Sequence, residues 1–288
     1  MAAELSVLYR YLSSTSSEAL SGAFEAVDSA TTSVRPRNIN DRNRGDYIIE
    51  LIYQFLTHLI TLHLSQKQPY KPLLVRHRLE SMIHTFPQNS LFLSTYADIF
   101  KHQAQLDDKI RRTIRWPVFA EPEETNLAAW SVTICHEIGR YEAQAGSTAE
   151  NVRALFQRAL FGLGSPVSQA PRLWWLWYRF EEDVLGKMLA QRELFAGSKH
   201  AARQVVKQSG RLRQVFLDGL RVLPWLKAWV LAGLKTFDGG RDDDLSWDLR
   251  ELRSVYDVLH ERELRVRTEG VENFVEDLMT IAARRERE

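Results

Sequence analysis

The sequence predicts an all-α chain, an α-solenoid built from antiparallel helix pairs. Three observations predict it. Apolar residues recur at helical spacing through most of the 288 residues, as in Leu5, Leu8, Tyr9 and Leu12. No run shows the period-2 alternation of β-branched residues that a half-buried strand needs. The chain also matches itself at an offset of 137 residues. Thr85 to Phe100 lies over Val222 to Phe237, with Pro87 on Pro224, Phe92 on Trp229 and Phe100 on Phe237. Upstream, Arg76 falls on Arg213 and Ile83 on Leu220. That offset is about four periods of a 34-residue helix pair. A third copy begins at Arg153, with Leu160 at the Ile83 position and a longer turn before Trp174 and Trp175. Each copy reads as a helix, a Pro-marked turn and an antiparallel helix opening on an aromatic. Its apolar face needs a neighbour to cover it, so copies stack. An irregular helical bundle is the alternative.

The elements follow in order. A short helix covers the first 12 residues, Ser13 to Ser17 breaks it, and a second runs from Glu18 to Val27. Residues 30–45 are rich in Ser, Thr, Asn and Arg and form a loop. Asp46 is an N-cap for a helix reaching Leu64, with Ile48, Leu51, Ile52, Phe55, Leu59 and Leu62 as its stripe. Further helices are placed near 73–86, 89–104, 124–144, 149–162, 171–188, 190–222, 225–236, 247–261 and 270–285. Pro117 and Pro122 mark a break over 116–123, and Gly162, Gly164, Pro166 and Pro171 mark another. Residues 237–246 are a loop, and 262–288 form a capping element and tail. We expect a single repeat domain over 1–288.

Composition narrows the function classes. The 38 Lys and Arg against 37 Asp and Glu leave a net charge of +1, which removes the strongest argument for a nucleic-acid binder. One cysteine, Cys135, forbids an internal disulfide and a multi-Cys zinc site. No segment reads as a signal peptide. The most apolar stretch, Ile48 to Leu64, carries Glu50, Gln54, His58 and His63, and is too polar to span a bilayer. The reading is a soluble, intracellular protein with no membrane partner.

Two stretches carry a family resemblance. Trp174, Trp177 and Glu181, beside Trp175 and Tyr178, resemble the W-x-x-[YW]…E signature of half-a-TPR (HAT) repeats, the TPR-like helical repeats of RNA-processing factors. Val152-Arg-Ala-Leu-Phe-Gln-Arg-Ala-Leu160 resembles the second helix of that repeat. Nearer the C-terminus, Leu223-Pro-Trp-Leu-Lys-Ala-Trp229 and His260-Glu-Arg-Glu-Leu-Arg-Val-Arg267 resemble the end of the nuclear RNAi-defective, or "necessary for RNA interference", family. Those two motifs cover 15 of the 288 residues. Family members are much longer, so this chain resembles their C-terminal repeat domain. The resemblance implies a nuclear scaffold in RNA processing, splicing, RNA surveillance and small-RNA-directed silencing. It implies a splicing- or surveillance-linked protein partner, with the exosome-associated RNA helicase held through a region that this chain lacks.

The candidate residues divide into structural and functional groups. Trp174, Trp175, Trp177, Tyr178 and Glu181 either fill the core between stacked helices or line a peptide groove; large aromatics at helical spacing favour the core. Glu181 then anchors a neighbouring helix through Arg or Tyr. After the turn at Pro224, Trp225 and Trp229 are four apart, so both should face the preceding helix near Val215 and Leu220. Leu264, Arg265, Val266 and Arg267 belong to an element that folds back as a cap. Two basic clusters, Arg35, Arg37, Arg42 and Arg44, and Lys109, Arg111, Arg112 and Arg115, read first as solvated faces or intramolecular pairs, as most charge runs do; contact with RNA phosphates or a partner is the alternative. Neither is interleaved with aromatics, so RNA contact would be weak.

No catalytic pattern emerges. His136-Glu137 begins like a zinc-protease helix, but Arg140 stands where the second His belongs. Cys135 sits in an apolar run and reads as a buried inert thiol. Gly162-Leu-Gly164 lacks both a preceding strand and a third glycine. Asp238, Asp242, Asp243 and Asp244 lack the spacing of a calcium loop. The sequence therefore predicts a non-catalytic interaction scaffold without cofactor or metal. A direct RNA-binding module is the alternative.

Overall fold

The computed structural model describes residues 72–87, 89–100, 106–120, 126–194 and 199–236, with scattered positions in 22–61, in 250–257 and at 280. Among the described residues every regular element is a helix. The loops 30–45 and 237–246, Arg35, Arg37, Arg42, Arg44, Leu264, Arg265, Val266 and Arg267 lie outside them. The helices are α1 (Pro72–Thr85), α2 (Ser90–Phe100), α3 (Asp107–Ala120), α4 (Leu127–Glu142), α5 (Ala149–Phe161), α6 (Pro171–Leu194), α7 (Lys199–Val222) and α8 (Lys227–Thr236). They fall in two compact units, Met1–Pro166 and Val167–Glu288.

In the first unit α2 and α3 each pack on α1 and α4 and on each other, and α5 packs on α4. Its core joins Val75, Leu79 and Ile83 of α1 to Phe92, Leu93, Tyr96 and Phe100 of α2 and Ile110 and Ile114 of α3. Leu56 and Ile60, within the stretch read as helical from Asp46, enter the same core. Side-chain caps start the helices where the chain turns. The Asn89 amide oxygen accepts from the backbone of Leu91 and Phe92, at 3.0 and 3.3 Å. Asn126 accepts from Ala129 at 2.9 Å, and Thr148 from Asn151 at 3.3 Å. Each satisfies an N–H that the first helical turn leaves without an acceptor.

The second unit is a long hairpin of α6 and α7, with α8 packed on α7. Leu212, Val215, Phe216 and Leu220 of α7 are buried, as are Leu173, Trp174 and Val184 of α6. Gly219 lies where α7 meets the aromatic cluster, and a Cβ there would stand 2.5 Å from Cζ2 of Trp229. Only a residue without a side chain permits that approach.

The helix α3 is a departure from expectation. The sequence placed no helix between 104 and 124 and marked 116–123 as a break because of its prolines; instead α3 runs from Asp107 to Ala120 with Pro117 inside it. Proline removes one donor from the ladder and crowds the turn before it. Here Pro117, Ile114 and Val118 are buried, which offsets that cost. Thr133 of α4 links the two helices, its hydroxyl shared between the Ala129 carbonyl at 2.9 Å and the Ile114 carbonyl of α3 at 3.1 Å.

Candidate functional site

Three places combine polar chemistry with defined geometry. The first is a carboxylate enclosed between α3 and α4. Glu137 is 1% exposed. Arg111 grips it with two hydrogen bonds, Nε at 3.2 Å and a terminal nitrogen at 2.8 Å. Arg115 stands 2.9 Å from the same carboxylate, and the Ser147 hydroxyl donates to it at 2.6 Å. Burial pushes the Glu137 pKa up, but the Ser147 hydrogen bond and the two guanidinium groups outweigh it, so the net shift is downward. The carboxylate is held ionised. Burial pulls the Arg115 guanidinium below its usual value, against the pull of Glu137. Nearby, Arg140 pairs with Asp107 and donates to the Ala145 carbonyl at 2.8 Å, pinning the turn between α4 and α5. That turn passes through left-handed backbone at Gln144 and Gly146, with φ of 53° and 70°.

The second basic cluster is thereby divided by function. Arg111 and Arg115 are committed to Glu137. Lys109 pairs with Glu80 of α1 at 2.9 Å. Arg112 is exposed, and its Nε donates to the Asp108 carbonyl of its own helix at 3.3 Å. The four residues do not present one cationic face.

The second place is a groove of about 520 Å³ beside that network, lined from α2, α3 and α4. Ala97, Ile110, Val132, Gly139, Ala143 and Ala145 make its apolar lining, with Asp98, Asp107, His136 and Arg140 as polar groups. Cys135 also lines it and is exposed, which corrects the expectation of a buried thiol. Its sulfur environment is nonetheless dry enough to raise the thiol pKa, so the reactive thiolate is suppressed. Burial lowers the His136 pKa, which favours the neutral ring. Sequence reading named Cys135 and His136 but missed the groove. Its lining comes from three helices and a turn, and no local pattern joins them.

The third place is the aromatic cluster of the second unit. Trp229 is 1% exposed. Its indole stacks on Phe216 at 6.0 Å and meets Trp174, Trp175 and Tyr178 edge-on at 6.5, 5.2 and 5.3 Å. Its N–H donates to the Phe216 carbonyl at 3.2 Å. Below the cluster, buried Glu181 accepts from Trp177 at 3.0 Å and from Gln208 of α7 at 2.6 Å. The Gln208 amide also reaches the Glu181 carbonyl at 3.1 Å. Gln208 thus ties Glu181 across the hairpin. Burial pushes the Tyr178 pKa up to about 12. Trp225 departs from expectation altogether. It is 55% exposed, because α8 starts only at Lys227 and Trp225 belongs to the turn. The helical spacing argument needs both residues in one helix.

Among the described residues no group of His, Cys, Asp or Glu is placed to hold a metal ion. No described helix is long and apolar enough to cross a membrane. No family model, curated protein or solved structure matches this chain.

Proposed function

We propose that this chain is a non-catalytic protein-interaction scaffold, which takes an anchoring segment of a partner protein in the groove over α2, α3 and α4. The groove carries the reading. It combines small and aliphatic side chains with a few fixed polar groups, the composition of a site that seats anchor residues. The strongest charges next to it are neutralised from within, so its attraction is for apolar side chains first. The resemblance to HAT repeats and to the nuclear RNAi-defective family supports placing the scaffold in the nucleus. There it would serve RNA processing, surveillance and small-RNA-directed silencing with a splicing- or surveillance-linked partner. The finer architecture, a stack of helix pairs, is part of the same proposal. Its support is the register of the internal match, since Ile83, Phe92, Leu220 and Trp229 are all buried at the matched positions.

Gly139 offers a direct test. Gly139 lines the groove and a Cβ added there meets nothing within 4 Å, so a longer side chain should occupy the groove at little cost to the fold. Proteins captured from nuclear extract on the whole chain should be lost on Gly139→Gln, at unchanged melting temperature. Cross-links from the captured protein should fall on residues lining the groove. Capture that survives Gly139→Gln, or hydrolysis of nucleotide, RNA or peptide by the purified chain, would overturn the proposal.

A further inference from the structure

Helix α7 carries six Lys and Arg against one Asp, in a chain whose net charge is only +1. Its buried face is formed by Val205, Gln208, Ser209, Leu212, Val215, Phe216, Gly219 and Leu220. On the opposite face Lys199, Arg203 and Lys207 are exposed and follow one another at i, i+4 and i+8. At 1.5 Å per residue they form a row about 12 Å long with steps of about 6 Å. Among the described residues no carboxylate pairs with any of the three.

The arrangement works against the helix that bears it. Like charges four apart repel one another, and this row contains two such pairs. Cations in the first turns also face the positive end of the helix dipole, and α7 has no acidic residue in its first turn. The partner helix shows the ordinary solution. On α6, Arg179 pairs with Glu182 at 2.6 Å and Lys187 with Asp183 at 2.5 Å. Helix α6 also lacks an acidic residue in its first turn, so the contrast lies in the unpaired like-charge row alone, and that row points to a binding role.

The row also indicates the partner's chemistry. A protein partner needs anchors that bury, commonly aromatic or large aliphatic residues. The exposed face of α7 offers no aromatic, and Val206 is its one large apolar residue, half-exposed. A phosphate backbone needs no such anchor, because release of its counterions supplies the affinity. A single strand is free to lay successive phosphates along a straight row. His200 and Gln204 are hydrogen-bonded to each other at 2.8 Å, so the row includes no evident reader of bases or of a ribose hydroxyl.

We propose that Lys199, Arg203 and Lys207 form a docking surface for the phosphate backbone of a single-stranded nucleic acid, bound without regard to sequence. This surface lies in the second unit and is independent of the groove. The experiment is a salt titration of binding to 20-nucleotide oligo(U) and oligo(dT), using the whole chain. Three phosphate contacts to a single strand give a slope of log affinity against log salt near −2, or about a 20-fold loss between 50 and 200 mM. The two oligonucleotides should bind alike, within about twofold. The triple variant K199Q/R203Q/K207Q should flatten the slope and weaken binding at least about tenfold at 50 mM salt. Its melting temperature should stay level or rise, since the repulsion is gone. A wild-type slope in the triple variant, or tighter binding of a 20-residue poly-glutamate than of oligo(U), would overturn the assignment. The second result would make the partner an acidic protein. Gly139→Gln should leave oligonucleotide binding unchanged, which separates this surface from the groove.

Discussion

Glu137 concentrates the electrostatics of the first unit in one side chain. Its carboxylate is enclosed, and the two guanidinium groups beside it are about a quarter exposed, at 22% and 24%. Removing one partner of such a cluster leaves the others without compensation, which outweighs any loss of attraction. With both arginines still touching water the penalty is discounted, and Glu137→Gln should cost about 2 kcal/mol at pH 7. The sign with pH follows from the shift. The folded carboxyl titrates below its ordinary value, whereas the unfolded one titrates near about 4.3. The stabilisation is therefore complete above that unfolded value and is lost as pH falls through the folded one. Urea unfolding at pH 7 and at pH 3 should show the gap between wild type and Glu137→Gln shrinking at the acid end. An equal gap at both would mean that the variant acts through packing and not through charge.

At the scale of elements, the clearest lesson comes from the turn before α8. Trp225 and Trp229 are four residues apart, yet the first is exposed and the second lies inside the aromatic cluster. Trp229→Ala should cost about 3–5 kcal/mol, the range for deleting a fully buried aromatic. Trp225→Ala should stay within about 0.5 kcal/mol of wild type, as exposed substitutions do. Chemical denaturation of both variants checks this, and a large loss for Trp225→Ala would place that ring in a contact the structure does not show. The same turn shows what the sequence could and could not tell. Helix α5 was legible almost to the residue, because Thr148 caps it and Gly162 follows it. Helix α3 was not, since Pro117 argues locally for a break and only burial against other helices overrules it. The arginines of α3 could be read as paired within the molecule, but not with which residue, because Glu137 lies on another helix. The row on α7 was missed because its three cations stand four apart, from 199 to 207, and never form a run. Their spacing of four is a signal that the apolar stripe on the same helix outweighs.

For the molecule as a whole, the question is how far the two units behave as one. A single stack over 1–288 would tie each helix pair to the next, and unfolding would tend to spread along it. Two compact units, Met1–Pro166 and Val167–Glu288, each with a core of its own, should instead unfold in separable steps. The sequence supplies a probe for each. Six of the eight tryptophans, from Trp174 to Trp247, fall in the second unit, so fluorescence reports chiefly on that one. Cys135 is the only thiol and lies in the first. Its pKa is raised in the fold, so unfolding returns it toward the ordinary value and speeds its alkylation at neutral pH. Denaturant titrations followed by fluorescence and by pulsed thiol labelling should therefore give different midpoints. Trp229→Ala then distinguishes the two arrangements sharply. In separable units it lowers the fluorescence midpoint and leaves the labelling midpoint in place. In one continuous stack it lowers both, and a common shift would return the chain to a single repeat domain.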